Sequence, residues 1–134
     1  MKFISHILLF IFGGIFCLVG LNALFAPADL MEPIGITLNT PGAFNEIRAN
    51  YGGMHLFFGL FFVICSFRLQ TLKIGFGLVA LFLGGLLFGR ITSLLIDGPA
   101  NQFVLNLTYF ESFMFLVSGL MWKIVKTPTP AWVP

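Results

Sequence analysis

A chain of 134 residues fits a single domain, but its make-up excludes a soluble one. Of its residues 58% are hydrophobic and 9% charged, with 18 Phe, where soluble domains carry about 25% charge. So few charges cannot coat a globule of this size, and the apolar surface must face lipid; the net charge of +2 is too small, and the basic residues too little clustered, to argue for nucleic acid, and none is expected as a partner.

The first apolar run covers residues 3–26, enough to cross about 30 Å of hydrocarbon at about 1.5 Å per residue. A cleaved leader competes with this reading, because Lys2 precedes the run and Ala26-Pro27-Ala28 has a small-x-small form. The apolar stretch is about twice the usual leader core, which favours an uncleaved helix. Gly13, Cys17 and Gly20 recur at helical spacing and make a small-residue stripe suited to close helix contact.

Residues 27–40 carry Pro27, Pro33, Asp29 and Glu32 without a basic residue, and read as an extramembrane loop folded over the bundle mouth. Thr40-Pro41 is a start signal, a hydroxyl N-cap followed by proline at the first helical position. The second span is expected over residues 41–67, opening with Asn45-Glu46-Ile47-Arg48-Ala49-Asn50-Tyr51-Gly52-Gly53-Met54-His55. At 100° per residue Arg48, Gly52, His55 and Gly59 share one stripe, and Glu46 points almost oppositely to Arg48.

A short basic turn, residues 68–73, leads to a glycine-rich third span over 72–96, in which Gly85 and Gly89 form a G-x-x-x-G pair for helix packing beside Arg90. The fourth span, residues 99–125, holds Glu111, with Ser118 on the same face. The tail, residues 127–134, is too rich in proline for a helix and is expected to be extended. Trp122 and Trp132 suit interfacial anchors. The expected fold is all-α, a four-transmembrane-helix bundle over residues 1–126. Lys2, Arg68, Lys73, Lys123 and Lys126 fall on one side of it, and Asp29, Glu32 and Asp97 on the other. By the positive-inside rule both termini are then cytoplasmic.

An ionised group at the centre of a span costs about 2.5–3.5 kcal/mol, so scattered, unpaired charges would be expensive. We therefore expect Arg48, His55, Arg90 and Glu111 to converge in one internal cluster, with Glu46, Asn50 and Tyr51 beside it and Gly52, Gly59, Gly85 and Gly89 packing the helices. The cluster reads either as a structural network or as a ligand site. If Glu46 stays outside, Arg48 and Arg90 share Glu111 alone, and the surplus positive charge suits an anionic guest; if Glu46 turns inward the cluster is neutral and the structural reading gains.

No cofactor is expected from any motif, and none for a metal, since His55 has no second His or Cys at its depth and stable sites want three or four ligands. Cys17 and Cys65 differ in depth far beyond the roughly 7 Å that a disulfide tolerates. Asn106-Leu107-Thr108 matches a glycosylation sequon but lies within a span. Phe57, Phe58, Phe61 and Phe62 surround their helix and read as lipid- or neighbour-facing.

Glu46-Ile47-Arg48-Ala49-Asn50-Tyr51-Gly52-Gly53, followed by Gly89-Arg90, resembles an uncharacterised family of small bacterial four-helix membrane proteins, related in architecture to the DoxX-like group. The likeness runs from the first span through Glu111. It implies four spans and a bacterial inner (cytoplasmic) membrane. Membrane lipids are the expected partners, and the glycine-rich faces suit docking against a larger membrane complex. Association with oxidoreductase complexes, or an assembly role, is implied only for the wider group, and this chain lacks a cysteine pair for thiol chemistry. The reading that follows is a non-catalytic binding or accessory subunit. Its rivals are a membrane enzyme or small carrier with His55 or Glu111 as general base, and a subunit of a respiratory or photosynthetic assembly.

Overall fold

The computed structural model describes residues 2–126, and among them the chain is helical apart from short connections, without strands. The expected extended tail and Trp132 lie outside the described residues. Helix α1 spans Lys2–Phe25; α2, Pro27–Met31, runs into a 3-10 turn at Glu32–Ile34; α3, Pro41–Ile47, continues through a π turn at Arg48–Gly53 into α4, Met54–Ser66. Helix α5 spans Leu69–Ile96 and α6 spans Gln102–Ile124. Four stretches are long and apolar enough to cross a membrane: Phe3–Phe25, Pro41–Ser66, Leu69–Ile96 and Gln102–Ile124.

Local chemistry accounts for these boundaries. Pro27 cannot donate into the α1 ladder and opens α2 as its first helical residue. Gly35 ends the following 3-10 turn at φ 82°, a left-handed conformation that costs glycine nothing. Thr40 caps α3, its hydroxyl accepting from the Ala43 amide at 3.2 Å. Asn101 caps α6 in the same way, accepting from Val104 at 2.9 Å. The expected basic turn is shorter than residues 68–73, because the backbone is already helical from Leu69. Residues 99–101 precede α6 rather than belong to it.

The bundle is built from two close pairs. Helix α1 lies against α4 along the small-residue stripe. A Cβ added at Gly20 would come 2.5 Å from the Leu56 nitrogen, and one at Gly59 would come 2.6 Å from the Cys17 nitrogen. Backbone thus meets backbone, which only small residues allow. Gly52 takes the Leu24 side chain in the same contact. Helix α5 pairs with α6 differently, as large side chains fill glycine notches: Trp122 sits over Gly77 and Phe115 over Gly84. Gly85 and Gly89 do not pack the bundle, since a Cβ at either would meet nothing within 4 Å. The two lie about 100° around α5 from the glycine row that faces α6, and spacing alone does not say which row finds a neighbour.

Leu9, Phe12, Phe16, Phe62, Leu72, Phe76, Val79, Leu83 and Met114 form the core that joins the pairs. At one end of the bundle His6 Nδ1 bonds the Ser66 carbonyl, and Ser5 Oγ approaches Met121 Sδ at 4.0 Å. At the other end a cavity lies between α1 and α6, lined also by Leu30, Met31 and Ile34 of the segment from α2 to the 3-10 turn. Asn101 Nδ2 ties that segment down by donating to the Pro33 carbonyl at 3.0 Å.

Candidate functional site

The cavity has a volume of about 520 Å³ and is walled by all four spans. Ile15, Phe16 and Val19 come from α1, Leu83 and Leu86 from α5, and Leu107, Phe110 and Met114 from α6. Leu30, Met31 and Ile34 close it from above. Met31 is fully buried, which seats this cover firmly. Phe103 and Phe110 stand at the edge of the cavity with nearly half of their surface outside.

One end of the cavity is polar. Tyr51, His55, Arg90, Ser93 and Glu111 reach it from three different helical spans. Arg90 on α5 grips Glu111 on α6 with both prongs, Nε to Oε2 at 2.5 Å and Nη2 to Oε1 at 2.8 Å. This planar, two-bond pairing is the strongest form a guanidinium makes with a carboxylate. Glu111 is buried, while Arg90 keeps some access to the cavity. His55, also buried, lies between rings: Tyr51 stacks on it at 5.7 Å and 7°, and Phe16 at 5.7 Å and 26°. Phe82 meets it edge-on at 5.2 Å. His55 also lies within electrostatic reach of Glu111, and Tyr51 within reach of Arg90.

The His55 ring has a defined tautomer. Its Nδ1 stands 3.2 Å from the Asn50 carbonyl oxygen, which can only accept, so Nδ1 carries the proton of the neutral ring. Nε2 is then a bare acceptor without a partner among the described residues, on a residue that lines the cavity. The π turn makes this arrangement, bringing the carbonyl five residues back beside the ring; such turns recur at functional sites.

The structure brings Tyr51, His55, Arg90 and Glu111 together and leaves three expected members out. Arg48 does not join the cluster. It is exposed, and its Nε donates to the Leu24 carbonyl at 3.0 Å, with the guanidinium 5.5 Å over the Phe44 ring. Two physical reasons account for this. The π turn breaks the 100° register that aligned Arg48 with His55. In addition, α1 ends without a basic residue in its last turn, so its free carbonyls attract a cation from elsewhere. Glu46 and the Asn50 side chain are exposed and bond each other, Nδ2 to Oε2 at 2.9 Å. The expected surplus of positive charge therefore vanishes, because one arginine faces one glutamate.

Sequence reading placed residues 27–40 over the bundle mouth, where Leu30, Met31 and Ile34 line the cavity, but missed Ser93 and the α6 face. The face was detectable, since Phe103, Leu107, Phe110 and Met114 recur at helical spacing beside Glu111. Among the described residues no three His, Cys, Asp or Glu side chains come close enough to hold a metal ion.

Four apolar spans around an internal cavity with one polar end define a small multi-pass membrane protein. The chain belongs to the family defined by a domain of unknown function, DUF4345, which matches residues 4–122. Comparison with curated proteins and with solved structures returned no match.

Proposed function

We propose that this protein is a non-catalytic binding protein of a bacterial inner membrane, holding a lipid-like molecule between its helices. The cavity carries the reading, with apolar walls for a chain and the Tyr51/His55/Arg90/Glu111 end for a head. Pockets of this size, mostly apolar with a few convergent polar groups, are the usual form of small-molecule sites. Intramembrane ionisable groups are functional candidates by default. Both termini lie on the cytoplasmic side in this proposal. Arg68, Lys123 and Lys126 gather at the end of the bundle where His6 meets Ser66, and Asp29, Glu32 and Asp97 at the end that the cover closes.

The test is purification in a mild detergent with mass spectrometry of the lipids that accompany the protein. The wild type should carry a lipid that Leu107→Trp and Val19→Trp, which fill the cavity from opposite walls, both lose while staying folded. Equal lipid content in all three proteins would overturn the proposal.

A general-base role is the second reading, and the unpartnered Nε2 of His55 favours it. Glu111 suits that role less, with both oxygens engaged by Arg90. Turnover or flux that His55→Ala abolishes without unfolding would support it. An accessory role in a larger complex, in the manner of the DoxX-like group, rests on the open Gly85/Gly89 face of α5. Co-purification of a second membrane protein would support that role.

A further inference from the structure

We infer that the cavity takes a lipid with an uncharged, hydroxyl-bearing head, such as that of a monoacylglycerol, rather than an anionic one. This rests on the reading of the cavity as a binding site and follows from what each polar group has left to offer. Of the five guanidinium N–H groups, two are committed to Glu111. The remainder can still donate, but their charge is already matched by the carboxylate.

An anionic head would add an unmatched negative charge beside Glu111 in a site walled by Phe16, Leu83, Leu86 and Met114. Burying an unpaired charge costs far more than one hydrogen bond returns. A neutral head avoids that cost. The His55 Nε2, held as an acceptor by the Asn50 carbonyl, calls for a donor from the guest, and a hydroxyl supplies it. The free N–H groups of Arg90 and the Tyr51 hydroxyl call for an acceptor, which an ester carbonyl or a second hydroxyl supplies. A head with oxygen acceptors but no hydroxyl would leave Nε2 unsatisfied. Specificity of this kind comes from the site's own polar groups, because an unpaired one inside an apolar cavity is costly.

The experiment uses the full chain in phosphatidylcholine nanodiscs, at about pH 9, where a carboxylate is ionised and an imidazole neutral. Monoolein, methyl oleate and oleate share one chain and differ in the head; they are supplied at equal mole fraction, and the lipid bound per protein is counted by native mass spectrometry. Monoolein should exceed methyl oleate about tenfold, the ratio of one hydrogen bond, and should exceed oleate by at least as much. His55→Phe, which keeps the ring stack and removes Nε2, should bring the monoolein and methyl oleate occupancies together. His55→Gln, whose amide oxygen can accept in place of Nε2, should keep the preference for monoolein.

Oleate bound as well as monoolein, or equal occupancy by all three lipids, overturns the head-group inference. So does a preference untouched by His55→Phe. If Leu107→Trp still excludes all three lipids in those cases, the cavity itself stands. If no lipid binds, or Leu107→Trp binds them as the wild type does, the cavity reading falls as well. Should His55→Phe fail to fold, the three-way competition on the wild type decides alone.

Discussion

Arg90 and Glu111 clasp each other across the α5–α6 interface through two parallel hydrogen bonds of 2.5 and 2.8 Å. The pair belongs at once to the packing of these helices and to the wall of the cavity. Removing one member leaves the other charged and alone in apolar surroundings. Arg90→Met or Glu111→Leu should each cost about 2–3 kcal/mol, below the full range for a buried pair because Arg90 keeps access to the cavity. The double replacement Arg90→Met with Glu111→Leu should recover most of that loss while abolishing lipid retention. Unfolding curves in detergent for the four proteins give the coupling directly, and additive losses would show that the pair contributes nothing.

The glycines separate into those that permit contact and those that face outward. Gly59→Ala should cost about 2 kcal/mol or more, because its methyl would strike the α1 backbone, which has no side-chain rotamer to shift. Gly85→Ala should instead stabilise the isolated chain by about 0.5–1 kcal/mol, the helix propensity difference, since open space surrounds it. Thermal unfolding of both variants checks the pair. If Gly85→Ala instead shortens the lifetime of an oligomer, a partner occupies that face of α5.

Arg48 answers the free end of α1. Arg48→Ala should lower stability by about 1 kcal/mol, the scale of a cation at a helix C-terminus. The lipid recovered per protein should not change, since Arg48 lies outside the cavity. A loss of lipid at unchanged stability would return Arg48 to the site.

Asn101 does two jobs with one amide: its oxygen caps α6 and its nitrogen holds Pro33. Asn101→Asp keeps the acceptor and removes the donor. Amide exchange should then quicken at Leu30 and Gly35, on either side of Pro33, while Val104 and Leu105 at the start of α6 stay protected. Asn101→Ala should expose both regions and cost about 0.5–2 kcal/mol. Unchanged exchange in Asn101→Asp would mean that apolar seating of Met31 alone closes the cavity.

Much of the fold was legible because each cue acts within its own stretch of chain. The Thr40-Pro41 start, the break at Pro27, the small-residue stripe of α1 and the apolar runs all depend on neighbours a few residues away. The polar cluster was legible only in part. Arg90 and Glu111 stood out as charges in apolar runs, but Arg48 looked equivalent to them. Nothing in its flanking residues told that a π turn would intervene, or that a bare helix end would lie within reach. The α5 glycines were ambiguous for a related reason: rows such as Gly77/Gly84 and Gly85/Gly89 look alike until a neighbour chooses one.

By itself the sequence determined that four stretches would be helical and apolar, and which few residues would bring charge into them. Hydrocarbon cannot hydrogen-bond a peptide group, so a long apolar run must satisfy its own backbone, and that requirement is written along one dimension. Only the tertiary structure decided that Arg90 would meet Glu111, that Arg48 would turn to Leu24, and that a hollow would remain between α1 and α6. Those outcomes depend on how each helix is rotated about its axis. They are set by the shapes of side chains from distant segments meeting at once.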